Sequence, residues 1–353
     1  MIYLPKVQED KTYFIFKTDG GWNFMLKVAM LSRWHVHAEG YAHEFKSRDD
    51  VQLTVVWDEE PEKGKEFAKQ FNMDFEPDLD KLLCRDDVDA VCINTPTNKH
   101  PEVIQKCAKA GKHIFTEKVL ALTNDEATQI RKAVEESGVK FCISFPHRTF
   151  SHNLFAKKVM DEGLLGDVNY MRVRNAHNGA SAGWLPPHFY DEAQCDGGAM
   201  IDLGAHPMYL IPWIMGKPAE VASAFTHVTG HAVEDNAVTV MKYENGAVAV
   251  SETGFVTGFC PFMLELYGTD GSLIISGEEV KLISSKLNDK TGEYSGWINP
   301  GNLPAPLPSP IIQFVEGVLY GKEIIFGMDD AVTLTEMMDA AYRSHKQGAF
   351  VSL

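Results

Sequence analysis

Val88-Asp89-Ala90-Val91-Cys92-Ile93-Asn94-Thr95-Pro96-Thr97-Asn98-Lys99-His100-Pro101 is a short apolar run, a polar strand end and a proline-led helix start in one stretch. A run apolar on both faces suits a strand covered on both sides, as in a parallel sheet. Pro101 suits a first helical turn, where its missing N–H costs nothing, and Gly111 marks the helix end. The polar residues 94–100 therefore stand at the carboxyl end of a strand and lead into a helix. Free N–H groups and short polar side chains there suit a nucleotide. Read alone, the stretch is equally a plain helix cap.

Outward from this unit the alternation repeats. Leu26 to Leu31, Gln52 to Trp57, His113 to Thr116 and Lys140 to Phe145 are further strand candidates. Pro61 opens one helix, and Thr123 with Glu126 forms a capping-box spacing for another that Gly138 closes. Repeated β-α-β units imply right-handed crossovers and a Rossmann-like, doubly wound parallel sheet. After residue 150 the pattern changes. A helix over 151–163 is followed by longer strands: Val168 to His177, Val221 to Val228, Ala237 to Tyr243, Ala247 to Phe255, Phe262 to Tyr267 and Ser272 to Ser276. Asn245-Gly246 and Asp270-Gly271 are hairpin turns between them. This predicts an α+β domain with a large, mainly antiparallel open sheet, finished by helices near 311–320 and 330–346, with Asn299 to Pro310 as a crossing loop.

The expected division is an N-terminal extension over 1–24, a nucleotide-binding parallel-sheet domain over 25–147 and an α+β domain over 148–353, whose last helix could pack back on the first domain. Asp19-Gly20-Gly21 suggests a hairpin in the extension, and Met25 is an alternative start. The net charge of −16 disfavours phosphate backbones and anionic lipid, so no nucleic-acid or membrane partner is expected. No segment approaches the length of a membrane span. The six cysteines include no Cys-x-x-Cys pair and read as reduced core residues of a cytoplasmic protein.

The most specific chemical signal is Asp196-Gly197-Gly198-Ala199-Met200-Ile201-Asp202-Leu203-Gly204-Ala205-His206. Asp196 is expected to cap a helix beginning after the glycines. Asp202 and His206 would then share one helix face, the carboxylate raising the imidazole pKa and orienting a general base, with Pro207 kinking the helix behind it. An exposed ion pair is the plainer alternative. Lys118, in Thr116-Glu117-Lys118-Val119 after a strand, can hydrogen-bond a substrate hydroxyl and offset alkoxide charge. Read alone, it is also a surface lysine. Asp58, ending the second strand, suits the hydroxyls of an adenosine ribose. Glu59 and Glu60 follow it with no arginine for a 2′-phosphate, which favours NAD over NADP.

With these residues in place, positions 26–280 resemble the glucose-fructose oxidoreductase, inositol dehydrogenase and rhizopine-catabolism (Gfo/Idh/MocA) family. The matching residues are Thr95-Pro96, Asn98, His100, Glu117-Lys118, Gly197-Gly198, Asp202, Gly204, His206 and Glu234-Asp235-Asn236. The resemblance implies NAD(P)-linked redox chemistry on sugars, polyols or related hydroxy compounds. It also implies a homo-oligomer, dimer or tetramer, built through the second sheet. It makes Lys118, Asp202 and His206 the catalytic residues. Two departures stand out. Val119 replaces the proline of the family's Glu-Lys-Pro. Ser32-Arg33-Trp34-His35-Val36-His37-Ala38 replaces the glycine-rich phosphate turn, so pyrophosphate contacts are expected from the helix start around Ser32, Trp34, His35 and Val36.

His35-x-His37 shows no Cys or carboxylate partner at ligand spacing. No metal is expected, and the pair reads as a helix-start feature packing on Trp34. Substrate contacts are expected from His147, Arg148, His177, Trp184 and His188. In the expected mechanism His206 takes the hydroxyl proton, Asp202 stabilises the imidazolium and Lys118 holds the oxygen. This requires the three side chains to converge and the cleft to stay clear of Trp34. The alternatives are a redox-neutral glycosidase or lyase that uses bound NAD, and a non-catalytic ligand sensor.

Overall fold

A computed structural model describes residues 15–18, 21–287 and 303–353. Strands β1 (Ile15–Thr18) and β2 (Gly21–Phe24) pair as an antiparallel hairpin, ahead of the first sheet. The predicted crossing loop that ends at Pro310 lies partly outside the described residues.

The first sheet is six-stranded and parallel throughout. In chain order its elements are β3 (Leu26–Leu31), α1 (Ala38–Lys46), β4 (Val51–Trp57), α2 (Pro61–Phe71), β5 (Asp74–Phe75), α3 (Leu79–Leu83), β6 (Ala90–Ile93), α4 (His100–Lys109), β7 (His113–Thr116), α5 (Asn124–Ser137) and β8 (Phe141–Ile143). The strand order β5-β4-β3-β6-β7-β8 puts the change of winding direction between β3 and β6. A doubly wound sheet opens its ligand crevice at that point. All four residues of β6 are buried, as a strand covered on both faces requires. Thr123 and Glu126 form the reciprocal capping box of α5, and Gly138 ends that helix in the left-handed conformation.

The second sheet has eight strands in the order β15-β14-β13-β9-β12-β11-β10-β16. Its elements begin with α6 (Ser151–Asp161), β9 (Val168–Ala176), α7 (Glu192–Cys195), α8 (Ala205–Met215), β10 (Glu220–Thr226), β11 (Asn236–Lys242), β12 (Val248–Gly254), β13 (Met263–Gly268) and β14 (Gly271–Ser276). They end with β15 (Glu279–Ser284), α9 (Pro310–Tyr320), α10 (Met328–Gln347) and β16 (Val351–Ser352). Only the β9–β12 pair is parallel. Met171, Val173, Leu264, Leu266, Leu273 and Ile275 are buried on the helix-covered face. The opposite face carries Arg172 and Arg174, paired with Glu252 and Glu265. The edge strands β15 and β16 were not anticipated. β16 is two residues long, and no periodicity can mark so short a strand.

The chain then returns to the first sheet. Phe314 of α9 packs on Phe115 of β7. Asp329 and Asp339 of α10 bond Arg131 and Asn124 of α5. These contacts clamp the two sheets around the crevice.

Candidate active site

The Asp196–His206 segment differs from its sequence reading. Asp196 ends α7 in the left-handed conformation (φ 57°) and caps no following helix. Residues 197–204 form a turn, and α8 begins only at Ala205. Asp202 therefore does not share a helix face with His206. Pro207 sits in the first turn of α8 and breaks nothing, and the interior proline is Pro212. Glu234 explains the turn. Its Oε1 accepts the Gly198 and Met200 N–H groups at 2.9 Å and the Tyr342 hydroxyl at 2.8 Å. A Cβ on Gly198 would lie 2.0 Å from the Glu234 carbonyl oxygen, so only glycine fits.

Asp202 is turned to the other sheet. Lys118 Nζ donates to Asp202 Oδ1 at 2.7 Å and to its carbonyl at 3.0 Å. Burial pushes the Asp202 pKa up, but Lys118, with His35 and His37, together hold the carboxyl below its ordinary value. The Lys118–Val119 peptide is cis. His100, buried beneath it, spans the Val119 and Thr95 carbonyls at 2.7 and 3.2 Å.

His206 has different partners from those expected. Its Nδ1 is hydrogen-bonded to the Tyr209 hydroxyl at 2.9 Å, and its ring stacks on His147 at 4.2 Å. Burial and then His147 push its pKa well below the usual histidine value, opposite to the rise expected from a carboxylate neighbour. Tyr209 was missed, although three residues beyond His206 on a helix is a readable spacing. Of the expected substrate contacts, only His147 lies against His206. Its Nδ1 is buried with no partner among the described residues. Arg148 instead pairs with Asp330 at 2.6 Å beneath Trp213 and Phe326, a packing role. His177 stacks on Phe255, and Trp184, half exposed, bonds Asn178.

At the phosphate turn, Ser32 takes φ 72°, the conformation glycine usually supplies. Asp58 accepts the Arg33 N–H at 2.8 Å and the Glu60 N–H at 2.7 Å, so the buried carboxylate braces the turn. Glu59 accepts from Ser32 Oγ, and burial followed by Asp58 raises its pKa to about 7. Pro96 leads a short turn over 97–99, and Asn98 donates across to the Ala193 carbonyl at 2.6 Å. Val36 is exposed and lines a different cavity with His37.

Trp34 is 7% exposed. It stacks on Phe189 at 5.7 Å, packs on His188 at 5.0 Å and donates its Nε1–H to Gln194 at 2.6 Å. The chamber left between Trp34, His35, Lys118, Phe189 and Asp202 is about 20 Å³, the space of about one water. The strand end is suited to a dinucleotide, since Thr95 Oγ1 is buried with no partner among the described residues. A nicotinamide ring, however, has no room in this arrangement. The requirement for a cleft clear of Trp34 is not met until the Trp34–Phe189 stack parts.

His35 and His37 also read differently in three dimensions. Glu117 supplies the carboxylate that local spacing could not reveal. His37 Nδ1 lies 2.7 Å and His35 Nδ1 3.6 Å from Glu117 Oε1. The Tyr41 hydroxyl bonds the same oxygen and also Ser144 Oγ.

Residues 35–145 match a family profile described as an oxidoreductase family with an NAD-binding Rossmann fold. Residues 154–274 match a GFO/IDH/MocA C-terminal domain. The chain is 27% identical to 2,7-anhydro-N-acetylneuraminate hydratase of Mediterraneibacter gnavus, over 79% of this chain and 82% of that protein. It is 23% identical to inositol 2-dehydrogenase of Rhizobium meliloti, over 89% and 95% respectively. A solved levoglucosan dehydrogenase in complex with NADH superposes with a TM-score of 0.81 at 20% identity, covering 93% of this chain and 98% of that one. This last likeness is one of fold. No helix among the described residues is long and apolar enough to cross a membrane.

Proposed function

This chain belongs to the GFO/IDH/MocA family of NAD(P)-dependent oxidoreductases, and on that premise we propose that it oxidises a carbinol of a sugar or polyol, with NAD as the preferred cofactor. The observation that carries the reading is the 2.7 Å contact of Lys118 with Asp202, made between the two sheets beside the His147–His206 stack. Lys118 holds the reacting oxygen and offsets its developing charge. Asp202 positions Lys118. In the tautomer with the proton on Nδ1, bonded to Tyr209, His206 Nε2 is bare and takes the hydroxyl proton. Thr95 and the turn over 32–37 would hold NAD, which would supply the hydride acceptor. Glu59 and Glu60 beside Asp58 disfavour a 2′-phosphate, and the Arg33 side chain is engaged by Glu39. The open, polar face of the second sheet is the surface on which a second copy would pack.

The test is NAD reduction across a panel of sugars, inositols and sugar acids, with Lys118→Ala as control. A substrate turned over by the wild type and about a hundredfold more slowly by the variant is expected. Failure to reduce NAD on any of them, with the protein folded and binding NADH, would remove the dehydrogenase reading. A redox-neutral reaction is the second reading. It is favoured by the hydratase relative. Turnover without released NADH identifies it.

A further inference from the structure

Three ligand atoms, one each from His35, His37 and Glu117, lie within 4.8 Å of one another at the strand ends of the parallel sheet. His35 Nδ1 accepts the His37 backbone N–H at 3.3 Å, so that nitrogen carries a lone pair rather than a proton. It nevertheless lies 3.6 Å from Glu117 Oε1, in a buried place. Glu117 Oε1 also faces His37 Nδ1 at 2.7 Å, so one carboxylate oxygen draws both imidazoles together. The Lys118 side chain turns away to Asp202, so no ammonium stands among the three ligand atoms.

We propose that His35, His37 and Glu117 bind one divalent first-row transition-metal ion of the zinc type, at the turn where a glycine-rich loop would otherwise stand. Bonds of about 2.0–2.1 Å in a tetrahedral site put ligand atoms about 3.4 Å apart. The His35–Glu117 spacing of 3.6 Å already suits this. The His37–Glu117 spacing of 2.7 Å must widen, and His37, with a side chain 46% exposed, is free to yield. Two imidazoles with one carboxylate select zinc or iron over magnesium or calcium, which prefer all-oxygen shells. The supporting shell is present. Glu117 Oε2 accepts the Lys118 N–H at 2.9 Å, and Tyr41, anchored on Ser144, bonds Oε1. Three protein ligands leave a coordination position open. His35 borders the Lys118 chamber, and His37 borders a cavity of about 370 Å³ between α1 and α9. The site does not depend on the dehydrogenase reading, since ion binding is measured without cofactor or substrate.

The full chain, stripped with a chelator, is titrated with Zn²⁺ by calorimetry and with Co²⁺ by absorption. One equivalent is expected. His37→Ala, at the half-exposed ligand, is expected to weaken binding at least about a hundredfold while circular dichroism stays unchanged. Glu117→Gln, which keeps the shape of the buried side chain, is expected to do the same. Absence of Zn²⁺ uptake by the folded wild type at about 0.1 mM ion overturns the proposal. So does uptake that both variants leave intact, because the ion then sits elsewhere.

Discussion

The Trp34 indole and the Phe189 ring lie near-parallel, 5.7 Å apart and 25° between planes, one from the phosphate turn of the first sheet and the other from the second unit. Their stack, with the Trp34–Gln194 hydrogen bond, roofs the chamber over Lys118. An aromatic pair and one hydrogen bond are worth together about 2 kcal/mol. A dinucleotide that must displace them binds more weakly by that amount. Trp34→Ala is therefore expected to tighten NADH binding about tenfold or more, read by fluorescence titration. Weaker binding in the variant would make the indole a cofactor contact instead.

Glu59 is partly buried, one carboxylate oxygen has no partner among the described residues, and its pKa is raised to about 7. The folded chain thus holds this proton up to a higher pH than the unfolded chain, whose glutamate titrates near 4.5. The sign follows: stability falls as pH rises from about 4.5 to 7, and the loss is complete above 7. Glu59→Gln removes the buried charge. The variant is expected to gain about 1–2 kcal/mol at pH 8 and little at pH 4.5, seen as a Tm difference that grows with pH.

His147 slopes the other way. Burial pushes its pKa down to about 3, with His152 and Lys118 adding to the effect. Below pH 6.5 the unfolded chain takes a proton that the folded chain refuses, so stability falls as pH drops from 6.5 towards 3. Histidine NMR shifts should show His147 and His206 neutral at pH 5. A titration of either near 6.5 would contradict the stacked, buried arrangement.

Two glycines separate backbone need from chance. A Cβ on Gly198 meets the Glu234 carbonyl, whereas one on Gly40 in α1 meets nothing within 4 Å. Gly198→Ala is expected to cost about 2–3 kcal/mol in urea unfolding. Gly40→Ala should gain about 0.5–1 kcal/mol from helix propensity and a restricted unfolded chain.

Local patterning determined most of the architecture. Both-face apolar runs such as Val88–Ile93 and caps such as Thr123–Glu126 express interactions a few residues long, so the two-sheet fold and the candidates Lys118, Asp202 and His206 could be read from residue order. Partnership could not. Asp202 was assigned to His206 because the two are four positions apart, yet it bonds Lys118, 84 positions away. Glu117 was not seen as a partner of His37, 80 positions distant. The Trp34 roof depends on Phe189 and Gln194, which carry no signal of their own. Spacing predicts contacts only within one element. Which charges pair, which histidine loses its proton and whether the cleft stands open are set by how the sheets pack, because burial and Coulomb energies act through space rather than along the chain.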